Sequence, residues 1–553
     1  MKEIFELNHK LVDPITTDAK KKTTFAACLN AHGQYTTEHF VLRLSPRVHA
    51  LINSIQPGLY TTSAVSEEVI QAYSTYLHET VHWWQHMGST AGLVFSLGYP
   101  AQSHVNLEHL RAWLKIAGPQ KSIKTWAKNA MLRGRTHDDN TVREANIIVN
   151  NAMDIGFYKL LSYDPMSAKD LVQDPYFECV GHSYCIAYGQ LIAMLTATFD
   201  REFQHFPDAR IWDEEFPKLT AERHLGFYHG SKIMLAPVGL QALFEGQARF
   251  CQLQYLAFGA SQSLTCEYLR THGYLSGIYI TAFEVFLKIT KSDWPARIDD
   301  PLVGLFLLLC DLALNPSRGF PLQIANYRNF ITDVDPGIRF VQLCKVIGNE
   351  HPDLRKTITE YSREEYIRVS EILTNSCGYD HPMRTLEEVV RWPQTVPEIK
   401  AVMTEQDTFN FEIKNLPIRV LFSHFLKFSS DKLKHPEFFC WPGAWMAGSR
   451  TSEAIQTLFL THLSLFSDKE DDDGVFPRIF PGKDPKNIKK TFDVFFGNNI
   501  LYDLVQQWIL NDGPFDYDLS WLSQAYTNEE MANAAKDSFK HLFGVSPDDF
   551  IVF

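Results

Sequence analysis

No two of the nine cysteines in this 553-residue chain are spaced as CxxC, and an odd number cannot all be bridged within one molecule. Disulfide-stapled secreted domains and zinc ribbons need paired, regularly spaced cysteines, so the usage suits a reducing cytoplasm instead. Excess positive charge is missing as well: 52 Lys and Arg stand against 65 Asp and Glu, a formal charge of −13. A surface of that sign repels polyanions and leaves a nucleic-acid partner without an electrostatic footprint. The short run Lys20, Lys21, Lys22 reads as a solvated turn. Long apolar runs are also lacking. The most lipid-like stretch, Leu302 to Leu309, reaches only Cys310 before Asp311 interrupts it. A membrane span needs about 18 such residues, so this segment is expected to be a buried helix and no membrane role is expected. Residues 1–6 place acids early and offer no apolar stretch before a cleavage site, so no secretory signal is expected.

What is present is ordinary globular material. Apolar residues make up 45% of the chain and charged residues 21%, enough for a sizeable core. The length exceeds what one core normally organises. Thr23 to Leu29 and His39 to Leu44 are rich in β-branched and aromatic residues around the turn chemistry of Asn30 to Gly33, which predicts a small N-terminal sheet. From Ser66 the pattern turns helical, with Ser66 as cap and Glu67 and Glu68 in the first turn, where the helix dipole favours acids. That helix can run to about Gly88. Further helices are predicted at 105–116, 140–162, 177–203 and 237–258, and beyond them at 362–375, 416–429, 452–466 and 488–510. The polar, proline-containing stretch from Ser292 to Pro301 is the best boundary. The expected class is α+β, predominantly α: a catalytic domain over 1–295 with a small N-terminal sheet, and an α-helical region over 296–553 serving as scaffold or as a surface for a substrate or protein partner. Ser467 to Gly474, with Asp471, Asp472 and Asp473, lacks the spaced ligands of a calcium loop and reads as an exposed acidic loop.

One segment carries chemistry. Thr75 to Trp84 reads TYLHETVHWW and contains HExxH within the predicted helix. His78 and His82 lie one turn apart on one helix face and can ligate one ion together, while Glu79 stands beside them, free to take a proton from water. The uncharged neighbours Tyr76, Thr80, Val81, Trp83 and Trp84 are what a helix buried beneath a cleft requires.

Over these ten residues the chain resembles the zincin metallopeptidases, whose extended motif has the same uncharged neighbours around HExxH. The resemblance implies a catalytic Zn2+, a peptide or protein substrate, and an upstream sheet whose edge strand lines the cleft. A third His six residues after His82 would mark the metzincin branch, but that position is Gly88. Leu243 to Ala248, LFEGQA, looks like the glutamate-bearing helix of gluzincins, in which small residues after the Glu let the two helices approach. It makes Glu245 the leading third ligand, at a spacing from His82 longer than that of the best-known members. Glu108, Glu144 and the Glu178/His182 pair compete with it, as does an ion pair between Glu245 and Arg249 that would leave the carboxylate structural. His86, one turn past His82, is expected to sit behind the ligands or at the surface. Gluzincin-like sites also hold a Tyr or His for the oxyanion, for which Tyr274, Tyr279 and His229 are candidates.

Two other classes remain open. Glu79 to His82 is also ExxH, the half-motif of helical di-iron carboxylate proteins, but a further ExxH, Glu6 to His9, has no helical pattern around it. A binding scaffold with a purely structural metal is the second.

Overall fold

The computed structural model describes residues 7–8, 33–37, 39–55, 65–136, 138–259, 264–523 and 525–553. The expected strand at 23–29, the lysine run at 20–22, and Glu6 and His9 lie outside them. The class is α+β and predominantly α. Among the described residues six strands accompany the helices: β1 (Gly33–Thr36), β2 (Val41–Leu44), β3 (Gln120–Lys121), β4 (Phe466–Lys469), β5 (Asp472–Pro477) and β6 (Ile551–Val552).

The main sheet has the order β1-β2-β4-β5. β1 and β2 form an antiparallel hairpin, Val41 and Leu42 of β2 run parallel to Phe466 and Ser467 of β4, and β4 turns back into β5. Half of the sheet that the sequence placed at the N-terminus therefore comes from more than 400 residues downstream. The expected acidic loop at 467–474 is corrected by the same finding: it is the β4–β5 hairpin. Its Asp residues argue against strand by composition, yet Asp468 is buried because its carboxylate accepts from the Leu44 amide (3.1 Å) and pairs with His49 (2.6 Å). Lys469 and the turn at Glu470 and Asp471 are exposed.

The helix Glu67–Gly88, hereafter the motif helix, begins as its sequence dictates, with the Ser66 hydroxyl accepting from the Val69 amide (3.3 Å) and two acids in the first turn. From Gln71 to Gly88 every residue is buried. A helix enclosed on all sides is normally apolar throughout. This one buries Gln71, Thr75, His78, Glu79, His82, Gln85 and His86, so each of those groups needs a partner. The helix Leu240–Gly259, the glutamate helix, packs along one flank, and β1 and β2 cover another. On a third flank Trp84 stacks against Phe438, Phe439 and Phe459 and donates its indole N–H to the His462 carbonyl (2.8 Å).

The loop at 292–300 joins the helices Ile278–Thr290 and Pro301–Leu314. One contiguous buried cluster extends from Leu7 to Phe496 and includes residues on both sides of that loop. The Pro301–Leu314 helix is buried from Leu302 onward. A smaller cluster gathers Trp113, Ile148, Trp508, Phe539 and Phe550, where β3 pairs in parallel with β6. The eight described cysteines are free thiols. No described helix is long and apolar enough to cross a membrane.

Candidate metal centre

Two helices that start about 170 residues apart in sequence meet at three side chains. His82 Nε2 lies 3.1 Å from His78 Nε2, and Glu245 Oε2 lies 3.8 Å from His78 Nε2 and 3.6 Å from His82 Nε2. Among the described residues this is the group of His, Cys, Asp and Glu that could hold a metal ion. Both imidazoles are buried, whereas about a quarter (27%) of the Glu245 side chain remains exposed, so the cluster opens to solvent on the glutamate side.

The competing donors are engaged elsewhere. Glu108 pairs with Arg111, Glu144 with His109, Glu178 with His229 and His182 with Asp154. The ion pair between Glu245 and Arg249 is not formed: the carboxylate turns toward the imidazoles. Arg249 donates to Gln252 Oε1 (2.7 Å), and its guanidinium lies 3.8 Å from the centre of the Tyr279 ring. The small residues after Glu245 also act differently from expectation. A methyl at Gly246 would meet Phe306 and the Tyr279 carbonyl, so this glycine admits the neighbouring helices, while the Ala248 backbone faces His78.

The orientation of His82 is set by an amide. Its Nδ1 sits 2.8 Å from Gln85 Oε1, and Gln85 Nε2 donates to the Phe244 carbonyl and to Gln247 Oε1, both at 2.9 Å. The amide oxygen can only accept, so Nδ1 carries a proton and Nε2 is the atom turned to the cluster. One glutamine thereby fixes the ring and ties the motif helix to the glutamate helix. Gln85 and Gln247 were not singled out from sequence, although Gln85 stands three residues after His82, on the same face.

Electrostatics mark the same spot. Burial would lower the His82 pKa, but the charge of Glu245, the hydrogen bond to it, Glu79 and Gln85 together outweigh burial and raise it to about 9. Glu245 moves the opposite way: burial alone would raise it, and the charge and hydrogen bond of His82 bring it below its ordinary value. His78 is driven well below its usual range by burial, then by His82 and Arg249. The spot between His82 and Glu245 thus favours positive charge. Glu79 is pushed up to about 8, by burial first and by Glu245, against the pull of His82 and Arg249.

β1 crosses beside Glu79. A Cβ on Gly33 would lie 2.6 Å from Glu79 Cγ and 2.7 Å from its Oε1, so only glycine permits this approach. Tyr35 stacks on His86 (5.3 Å) and lies 6.5 Å from the His82 ring. His86 is buried and hydrogen-bonds Ser96 Oγ (3.0 Å), which places it behind the cluster and away from the surface. Of the two tyrosine candidates, Tyr279 packs edge-on against His78 (5.9 Å between ring centres). Tyr274 is fully buried, its hydroxyl pushed up to about 12 by burial and then Tyr268. His229 is largely exposed beside Glu178. A cavity of about 540 Å³, lined in part by Ser96, Thr37 and His39, adjoins the β1–β2 turn.

No protein-family model, curated protein or solved structure matches the chain.

Proposed function

We propose that the protein is a zinc-dependent hydrolase of the zincin type that cleaves a peptide or related amide bond. The observation that carries this reading is the convergence of His78 Nε2, His82 Nε2 and Glu245 Oε2 beside a buried Glu79. The 3.1, 3.6 and 3.8 Å separations place the three atoms on a circle of about 2.0 Å radius. Zinc bonds to imidazole nitrogen and carboxylate oxygen run about 2.0 to 2.2 Å, so the donor set fits that ion in both chemistry and spacing. When bound, zinc supplies Lewis acidity to a carbonyl and brings the pKa of a coordinated water toward about 7.

The chain's own residues do the rest. His78, His82 and Glu245 hold the ion, and Gln85 keeps the His82 lone pair aimed at it. Glu79 accepts the proton of the attacking water and returns it to the leaving amine nitrogen, the role of a general base that then acts as acid. A divalent cation nearby favours ionised Glu79 and opposes the burial that otherwise raises its pKa. Tyr279, against His78 and under the Arg249 guanidinium, is the better placed of the two tyrosines to donate to the developing oxyanion. The edge position of β1 next to Glu79 supports an extended substrate lying along that strand.

A di-iron carboxylate protein needs further carboxylate ligands, and beside His78 and His82 the described cluster contributes only the carboxylates Glu79 and Glu245. The helices after residue 295 offer surface for a protein partner under either reading. The decisive experiment pairs metal analysis with Glu79→Gln. One zinc per chain, with hydrolysis of a peptide library lost by about 10²-fold or more in the variant while zinc is retained, is expected. Equal turnover by parent and variant would refute the mechanism.

A further inference from the structure

Arg249 is 3% exposed, yet among the described residues no carboxylate lies within ion-pairing distance of its guanidinium. One acceptor, Gln252 Oε1, takes a hydrogen bond from Nη1, and Nε is buried without any partner. The Tyr279 ring covers one face of the guanidinium and its hydroxyl also interacts with it, which leaves part of the in-plane N–H edge, Nε included, to other groups. A buried charge left this way is costly unless something completes it. Arg249 also belongs electrostatically to the metal centre. The groups that act on one another there are His78, Glu79, His82, Glu245, Arg249 and Tyr279, with Tyr163 feeling Glu245 from outside. With neutral imidazoles, a divalent ion and Arg249 bring three positive charges against the two carboxylates Glu79 and Glu245. One positive charge is left over in a mostly enclosed site.

We infer that Arg249 is a specificity residue that binds a carboxylate of the substrate, so that the substrates are peptides or acyl-amino acids carrying a negative charge within one or two residues of the bond that is cut. The inference rests on the hydrolase reading for the bond, and on Arg249 alone for the charge. Arg249 stands one helical turn, about 5.4 Å of rise, from Glu245. Its stacking partner Tyr279 touches His78. A group held on the guanidinium edge is therefore about one to two residues from the ion's ligands, since an extended chain advances about 3.3 to 3.6 Å per residue. A planar fork of donors suits a carboxylate, which it can meet with two parallel hydrogen bonds. The carboxylate can be a chain terminus or an acidic side chain, and both present the same two oxygens.

The test uses zinc-loaded Glu79→Gln protein, slowed by about 10²-fold or more, and calorimetric binding of three versions of one short peptide: free acid, C-terminal amide, and amide with Glu next to the scissile position. The free acid, the Glu peptide or both are expected to bind about 10- to 100-fold more tightly than the plain amide. Which of the two wins identifies the source of the carboxylate. Adding Arg249→Met should abolish the preference, and Arg249→Lys should keep part of it, with zinc content and melting temperature reporting that each variant is folded. Equal binding of acid and amide, a preference that survives Arg249→Met, or no binding of any peptide in the millimolar range would overturn the inference. Titrations repeated on metal-free protein separate the two levels. A protein that takes up no zinc but still prefers the acid through Arg249 refutes the hydrolase reading and upholds the anion site. One that binds zinc and ignores the charge does the reverse.

Discussion

Replacing Gln85 by Leu should loosen the metal without touching a ligand. In the parent, Gln85 Oε1 accepts the His82 Nδ1 proton at 2.8 Å, while Nε2 bridges to Phe244 and Gln247 on the glutamate helix. Leucine has nearly the same volume and keeps the packing, but it leaves a buried ring N–H without an acceptor. An unsatisfied buried donor costs about 1 to 3 kcal/mol. Most of that penalty falls on the ring orientation the ion needs, because a free imidazole can rotate or change tautomer to find another partner. Loss of such a supporting hydrogen bond typically lowers metal affinity by about 10- to 100-fold, about 1.4 to 2.7 kcal/mol, within the same range. Competition with a chromogenic zinc chelator measures the affinity directly. Gln85→Glu is the control: it retains the acceptor for His82 while losing the two donors across to the glutamate helix. It should hold zinc about as tightly as the parent but unfold more readily. If Gln85→Leu binds zinc with parental affinity, the amide does not orient His82, and the argument that it selects Nε2 fails.

Gly33→Ala places a methyl 2.6 Å from Glu79 Cγ, so either β1 or the base must move; turnover should fall by about 10- to 100-fold with zinc content unchanged, since sub-ångström positioning of a base is worth that much, and an active alanine variant would mean that β1 yields freely. Zinc should raise the melting temperature and a chelator should lower it, by the equivalent of about 4 kcal/mol when free zinc exceeds the dissociation constant 1,000-fold; a thermal shift that persists in the His78→Ala, His82→Ala double variant would place the ion elsewhere. Asp335 gives a pH dependence away from the metal. Burial raises its pKa from 3.8 to about 6, opposed by the Tyr184 hydroxyl and two backbone amides. The folded state therefore binds the proton more tightly than the unfolded one, and this stabilisation is complete below about pH 4 and is lost as pH rises through about 6. Asn cannot ionise, keeps an oxygen for the Ile338 amide and can donate its NH2 to the Tyr184 hydroxyl, so Asp335→Asn should gain on the parent by up to about 3 kcal/mol between pH 4 and pH 7. Parallel urea midpoints for the two proteins across that range would refute it.

The reading of Glu67–Gly88 succeeded because every signal there is local: a serine cap, acids in the first turn, and two histidines at helical spacing. Glu245 could be chosen for a similar reason. An acid within an apolar helix is expensive unless paired, and the structure shows what pairs it, while Glu108, Glu144, Glu178 and His182 have partners within their own neighbourhoods. What escaped were contacts between distant segments. β4 and β5 look like an acidic loop because Asp468 and Asp472 disfavour strands, and only the pairing of Phe466 with Val41 explains their extended backbone. Gln85 is chemically bland in sequence and gains its role only when Phe244 and Gln247 come within 2.9 Å. Gly246 was legible as a close-packing residue, but not the partner it faces.

These long-range contacts also explain why so long a chain surrounds so small a site. Two imidazoles and a carboxylate forming a triangle of 3.1 to 3.8 Å, with an acid and a guanidinium close by, cannot be held by one helix. Their positions are set by whatever fixes the motif helix against the glutamate helix. One part of that is the Gln85 amide; another is the segment after residue 410, where Phe428, Phe439 and His462 enclose Trp84, and Asp431 anchors His462 at 3.0 Å. Asp431 is held ionised below its ordinary range: burial works against it, and the hydrogen bonds from His462 and Lys427 more than reverse that. The polar chain running from Lys427 through Asp431 and His462 to the Trp84 indole thus holds the motif helix at Trp84 while Gln85 holds it against the glutamate helix. With both contacts in place, His78 and His82 lose the rotational freedom that an isolated HExxH helix would keep, and the cost of bringing the three candidate ligand groups together is met in folding.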